Sequence, residues 1–166
     1  MTSPDQGAIK IVPYSPKYRQ IFYDMNIEWL EKYFTVEPVH RKVLADPEGN
    51  IIAGGGEIFF ALLDNKVIGT VAVKIEGNDS FELTKLAVSS DAQGKGVGQK
   101  LCERVIAFFK EKQGTLLFLE THTKLKPAMR IYEKLGFKIA NNPKQGIYAG
   151  TDCYMVWHPS TVEHAR

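Results

Sequence analysis

The chain has 166 residues, 44% hydrophobic and 24% charged, with a formal charge of +2 at neutral pH. This length and balance fit one globular domain spanning 1–166 with a full core. So small a charge offers no electrostatic basis for nucleic-acid binding, and no stretch reaches the ~18 apolar residues that a membrane-spanning helix needs. The opening "MTSPDQGAIK" has neither the basic region nor the apolar core of a secretory signal. Cys102 and Cys153 stand far apart and make no metal-ligand spacing. The expectation is a cytoplasmic protein whose thiols are reduced and buried.

Residues 8–14 alternate enough for a first strand. A helix follows to Phe34, with Ser15 as N-cap and Pro16 at the first helical position. Within it Ile21, Met25, Trp29 and Tyr33 recur at four-residue spacing and predict an apolar stripe. "EPVHRKVLADPEGN" reads as a short helix ending before Pro47, then a turn at Glu48 to Asn50. After Gly54 to Gly56, "EIFFALL", "VIGTVAVKI" and "SFELTKLAV" form a meander with short turns, so these strands are antiparallel neighbours. The glycine-rich turn "QGKGVG" opens a helix running to about Lys112, with Val97, Leu101, Val105 and Phe108 on one face. "TLLFLET" is a buried strand, and "PAMRIYEKLGF" a helix with Pro127 at its start and Gly136 at its end. "FKIA" and "DCYMVW" are the last strands, and the tail from His158 is expected to be loose. The order β-α-α-β-β-β-α-β-α-β-β calls for one mixed α/β sheet with helices on both faces. The strand at 115–121, reached through a helical crossover, should lie parallel to that at 80–88.

A glycine-rich turn between strand and helix suggests phosphate, but two familiar versions fail. A Walker loop needs G-x-x-x-x-G-K-[ST], and here Lys100 is preceded by Gln99 and followed by Leu101. A dinucleotide fingerprint needs a third glycine where Gln99 stands. What remains is Q-x-x-G-x-G, formed by Gln93, Gly96 and Gly98. Its amides can face an anion at a helix N-terminus, with Lys95 and Lys100 adding positive charge. Alternatively the glycines serve only the shape of the turn. Alone, the turn leaves both readings open.

Together with the downstream helix, "LAVSSDAQGKGVGQKL" resembles the acetyl-CoA motif of the GNAT superfamily of N-acetyltransferases. "PAMRIYEKLGF" resembles the second motif of that family, A-x-x-x-Y-x-K-x-G-F. The resemblance covers about residues 8 to 157 and implies the GNAT acyl-CoA N-acyltransferase fold. It implies acetyl-CoA in a cleft between splayed parallel strands, here those at 80–88 and 115–121. The pyrophosphate would rest on Gln93, Gly94, Lys95, Gly96, Val97 and Gly98. The pantetheine arm would pair with the backbone of Leu86, Ala87 and Val88, and Ala128 and Tyr132 would contribute from the second motif. Many members carry Asn three residues before the alanine of that motif. Leu125 stands there instead, so that contact would fall to His122, Thr123 or Lys124.

The resemblance also implies chemistry. Tyr132 would sit near the cofactor sulfur and donate to the leaving thiolate; as a plain packing residue it would share a helical face with Ala128 and Leu135. Glu82 is the candidate base. It shares a strand face with Thr84, Leu86 and Val88 unless a bulge intervenes; otherwise it is a solvated strand-end glutamate, with water as the base. The amide of Val88 or Ala87 would meet the developing oxyanion. His40, His122, His158 and His164 make no metal or triad spacing, and no metal is implied. Acceptor contacts are expected from Tyr18 to His40 and from Asn141 to Asp152, with Arg41, Arg130 or Lys124 available to a carboxylate and Tyr148 and Asp152 returning to the cleft. The expected acceptor is a small amine such as an amino acid. A protein lysine or N-terminus is the alternative, and a domain that binds acyl-CoA without turnover is the alternative of another class. Homodimers are frequent among similar proteins.

Overall fold

The computed structural model describes residues 8–143 and 151–159. A seven-stranded sheet carries the fold, in the order β1-β2-β3-β4-β5-β7-β6. Its strands are β1 (Lys10–Pro13), β2 (Glu57–Leu63), β3 (Lys66–Glu76), β4 (Ser80–Val88), β5 (Leu116–Thr121), β6 (Phe137–Ile139) and β7 (Cys153–Trp157). The helices are α1 (Arg19–Tyr33), α2 (Pro38–Leu44), α3 (Val97–Glu111) and α4 (Lys126–Leu135). The element order and mixed sheet agree with the sequence reading, and β4 and β5 are parallel as the crossover requires.

Strands β2 and β3 are buried on both faces because helices cover both. On one face α3 inserts Val97, Leu101 and Val105 among Phe59, Val71, Val73, Leu83, Leu117 and Leu119. On the other, α1, α2 and the segment after them bring Phe22, Ile27, Leu44 and Ile51 onto Ile58, Phe60 and Ala72. Both thiols are free and buried. No described helix is long and apolar enough to cross a membrane.

Local readings differ from the structure in three places. Ser15 does not cap with its side chain; its carbonyl accepts the Tyr18 N–H at 2.8 Å, closing a 3₁₀ turn over Pro16–Tyr18 before the α-helix begins at Arg19. Of the expected stripe, Met25 is buried and Ile21 packs against the core, but the buried face of α1 is Phe22, Met25, Asn26 and Ile27. A row at four-residue spacing rotates by about 40° per step on a helix of 3.6 residues per turn. Trp29 and Tyr33 are thereby carried off the core and onto a cleft wall. The expected turn at Glu48 to Asn50 is a π-helical turn over Glu48–Ile52, where Ala53 N–H reaches Glu48 O at 2.7 Å and Asn50 Nδ2 donates to Asp46 O at 2.8 Å.

Strands β4 and β5 pair only from Ser80–Leu116 to Glu82–Phe118 and then separate. α3 holds the sheet under this divergence, and Leu101 on it is fully buried. Leu101→Ala should cost about 2–5 kcal/mol of stability, measured by denaturant unfolding with the slope unchanged from wild type.

Candidate functional site

The separation of β4 and β5 opens a cleft of about 1090 Å³, walled by α1, α2, the N-terminus of α3 and the N-terminal half of α4. At one end lies the glycine turn. Gly94 and Gly96 have φ of +84° and +78°, and a Cβ on either would meet nothing within 4 Å. These glycines therefore serve a left-handed backbone that other residues adopt at a cost, and they leave its surface open. Gly98 acts differently. A Cβ there would come within 2.9 Å of Ile131, so its absence lets α3 approach α4.

Gly96 is the N-cap of α3 and no side chain caps it. The first intrahelical bond is Lys100 N–H to Gly96 O at 3.1 Å. The amides of Val97, Gly98 and Gln99 precede it and have no acceptor within the helix. Gln93, Gly94, Gly96, Val97 and Gly98 line the cleft, whereas Lys95 lies outside its lining. The shape reading of the turn is met by its left-handed glycines, and that shape leaves room for an anion beside the first amides of α3.

The edge of β4 that faces the gap is unpaired beyond Glu82. Ser89 N–H returns to Ile68 O of β3 at 2.9 Å, so alternation turns the backbone of Val88 toward the gap. Leu86 and Val88 line the cleft; Ala87 lies opposite Thr70 of β3 and outside the lining. Of the three residues expected to meet the pantetheine arm, Leu86 and Val88 face the cleft and Ala87 is committed to β3.

A bulge interrupts β4. Thr70 lies opposite Ala87 and Ala72 opposite Thr84, so Lys85 and Leu86 together face the single residue Val71. Lys85 takes φ +59°. The common face expected for Glu82, Thr84, Leu86 and Val88 is broken here. Leu86 and Val88 pack toward the α3 core, while Glu82 and Thr84 lie on the opposite face with Ala72 and Lys74.

Glu82 is 6% exposed, in register with Lys74 on β3 and Phe118 on β5. Burial pushes its carboxyl up to about 7, Glu76 and Glu120 push the same way, and Lys85 and Lys74 oppose them. It is not the solvated strand-end glutamate of the alternative reading. Burial also lowers the Lys85 pKa, against the attraction of Glu82.

Tyr132 lies across the cleft on α4. Its ring packs edge-on against Phe137 at 5.9 Å, and burial, with the Cys102 thiol nearby, raises the phenol well above its ordinary range. The residue lines the cleft, and no described residue hydrogen-bonds its hydroxyl. It combines the packing and cleft-facing roles that the sequence posed as alternatives. Ala128 lines the same wall one turn earlier.

Leu125 is buried at the N-cap of α4. Of its three suggested substitutes, two are engaged elsewhere. Thr123 gives its amide and hydroxyl to Asp152 at 2.9 and 3.0 Å, and Lys124 Nζ reaches Tyr33 O at 2.9 Å above the Phe34 ring. His122 lines the cleft, its Nδ1 accepting the Lys124 N–H at 3.0 Å and its Nε2 standing 3.6 Å from Asp152. These contacts strap the end of β5 to the end of α1. His40 is a capping residue, its Nδ1 accepting the Glu37 N–H at 3.0 Å. Arg41 turns to Tyr23 and Glu31 and lies outside the cleft lining, whereas Arg130 lines it. Tyr148, His164 and most of the loop from Asn141 to Asp152 fall outside the described residues. Sequence reasoning missed Lys85, Lys74 and Glu120 on the polar floor; the family resemblance marked Glu82, and the alternation of β4 gave no sign of where the bulge falls. Among the described residues no group of three or more His, Cys, Asp or Glu is placed to hold a metal ion.

Known proteins share this fold. A structure from Staphylococcus aureus, described as an acetyltransferase of the GNAT family, superposes with a TM-score of 0.81 at 20% identity, covering 90% of this chain and 98% of that one. A PaiA N-acetyltransferase from Thermoplasma acidophilum in complex with coenzyme A gives a TM-score of 0.69 at 17% identity, covering 91% and 99%. In sequence, the "Probable N-acetyltransferase camello" of Xenopus laevis is 31% identical over 113 residues, 66% of this chain and 52% of the relative. The N-acetylaspartate synthetase of Danio rerio is 33% identical over 97 residues, 57% of this chain and 34% of the relative. The chain thus spans about half, or less, of the length of these relatives. Residues 20–137 match the acetyltransferase (GNAT) family, and with the cleft, the glycine turn and the splayed strands this places the chain in that family.

Proposed function

We propose that the chain is an N-acetyltransferase that moves the acetyl group of acetyl-CoA to a primary amine by direct attack in a ternary complex. The observation that supports it most is one continuous cleft that joins open backbone amides at the start of α3 to a buried carboxyl and a buried phenol. Acetyl-CoA supplies an activated thioester. The amides of Val97, Gly98 and Gln99 hold its pyrophosphate, and the unpaired backbone of Leu86 and Val88 holds the pantetheine arm as an added strand would.

An alkyl ammonium has a pKa near ~10 and must lose a proton before attack. Glu82, raised to about 7, accepts it directly or through a water. The amine nitrogen then bonds to the carbonyl carbon, the carbon–sulfur bond breaks, and the proton remaining on the nitrogen passes to the departing thiolate, while Glu82 returns its own proton to solvent. The Val88 amide meets the charge that develops on the carbonyl oxygen. Tyr132 gives a hydrogen bond to the departing sulfur, and its raised pKa keeps the phenol protonated as a donor throughout. The acceptor is a small amine. The cleft is walled on both sides, and one set of relatives is named for making N-acetylaspartate, an acetylated small amine. Calorimetric titration with acetyl-CoA and with CoA, followed by thiol release over an amine panel, tests this reading; no binding of either would overturn it.

Three variants test its parts. Gly96→Glu places a charge and a strained residue on the open amides, and should weaken acetyl-CoA binding at least about tenfold. Gly96→Ala shares the strain without the charge and should bind more tightly than the Glu variant in the same titration. Tyr132→Phe should lower kcat by about 10²-fold with little change in the KM for acetyl-CoA, measured at saturating acceptor.

For Glu82→Gln the sign follows from the raised pKa. The carboxyl is favoured neutral in the fold, against an ordinary value of 4.5. Its contribution to stability is therefore full below that value and lost as pH rises through about 7. The wild-type rate should rise with pH through the same region, and Gln should abolish that rise. Gln should also remove this share of the fall in stability, roughly 3 kcal/mol, as followed by denaturant unfolding between pH 4 and 8.

A further inference from the structure

Lys85 is placed where a lysine is hard to place. Its φ of +59° belongs to the region that favours glycine, and the β4 bulge holds it there. Glycine would sit at this position without strain, so what lysine adds is its side chain. The residue is half-buried and lines the cleft. No described residue offers it an ion pair within 4 Å or a hydrogen bond. The other cations of the lining are placed differently. Lys74 stands 3.7 Å from Glu76, and Arg130 is exposed on α4 beside the cofactor half of the cleft.

The charges acting on Lys85 are Glu82 and Lys74, which share the α1–α2 face of the sheet. Tyr132 belongs to the opposite core and is influenced by Cys102 rather than by Lys85. Lys85 follows directly on Thr84, which lies opposite Ala72 on the α1–α2 face, and it lines the cleft, which sets its ammonium toward the acceptor side. Glu82 is near enough for its charge to act there, yet the two form no ion pair within 4 Å. A half-buried cation and a buried carboxyl in one cleft attract each other without closing an ion pair, which leaves each able to take an opposite charge from a ligand. An α-amino acid carries both charges on adjacent carbons. The wall above them is apolar, formed by Trp29, Leu30, Tyr33, Val43 and Val39, the last 57% exposed.

We propose that Lys85 binds the carboxylate of the acceptor, and that the acceptor is a free α-amino acid with an apolar side chain whose amino group is delivered to Glu82. This rests on the transferase reading above and narrows it, because a protein N-terminus or an internal lysine has no carboxylate beside its amine.

The test uses matched amines that differ only at the carboxylate: leucine against leucinamide, and phenylalanine against phenylalaninamide, with acetyl-CoA saturating. The wild-type protein should prefer the acid of each pair by about tenfold or more in kcat/KM. Lys85→Met should bring that ratio toward one, chiefly through KM for the acid, and Lys85→Arg should restore much of it. Wild-type protein that binds acetyl-CoA but acetylates the amides as well as the acids, or neither, overturns the carboxylate anchor and leaves the cofactor site standing. Equal loss of kcat on acids and amides in Lys85→Met overturns it as well, since the lysine would then serve the chemistry. Failure to bind acetyl-CoA overturns the transferase reading itself.

Discussion

Everything at this site depends on two parallel strands that begin as partners and then part. β4 and β5 pair through Glu82 and Phe118 and no further. Had they stayed paired, the backbone of Leu86 and Val88 would be consumed by the sheet and no cleft would exist. Backbone groups left unpaired in a protein interior are costly, so such a divergence persists only where something else meets them. An extended ligand can do so with its own amides. The rest of the architecture protects the opening. α3 packs beneath it through Leu101 and Val105, and the strap from Lys124 to Tyr33 ties the end of β5 across to α1.

The floor of the opening is electrostatically unusual for the same reason. Glu82 occupies the last paired position, so the sheet buries it, yet the gap begins beside it. Burial disfavours its charged form, and the nearby carboxyls of Glu76 and Glu120 add to that. Lys85 and Lys74 pull the other way and keep the group near neutrality rather than far above it. A base that is half ionised near pH 7 accepts protons readily and gives them back readily. The bulge contributes by directing Lys85 into the cleft, which regular alternation would not do.

How much of this could be read from the chain follows from what kind of interaction fixes each part. The glycine turn was legible because left-handed backbone at Gly94 and Gly96 demands a residue type. The element order was legible because strands of alternating and continuous apolar character stand between clear turn residues. The β4–β5 divergence was legible only through family resemblance, since no local property of "SFELTKLAV" tells a strand where its neighbour stops pairing. The bulge was hidden more deeply. Lys85 carries φ +59° without being Gly or Asn, and its conformation is imposed by the pairing of Thr84 with Ala72 and of Ala87 with Thr70 across the ladder. The face of α1 was misread because four-residue spacing approximates a helical row only over a couple of turns; the drift then moves Trp29 and Tyr33 from core to cleft. The π-helical turn at Glu48–Ile52 depends on bonds such as Asn50 to Val43, in a stretch whose Pro47 and Gly49 suggested a plain turn.

These differences separate the two halves of the cleft. In the proposed reading the cofactor half is recognised by backbone, so its requirements fall on glycines and on strand geometry, which sequence motifs report. In that reading the acceptor half is met by side chains converging from α1, α2, β3, β4 and β5, which come from separate stretches of the chain. Substitutions there change the acceptor without disturbing the motif that identifies the family. A chain can therefore announce its cofactor clearly while its acceptor is written only in three dimensions. In the proposed reading one element serves both halves, β4: its outer edge meets the pantetheine, and its bulge aims Lys85 at the acceptor. That coupling fixes the reacting carbon and the incoming amine relative to one strand, which is the alignment a direct transfer requires.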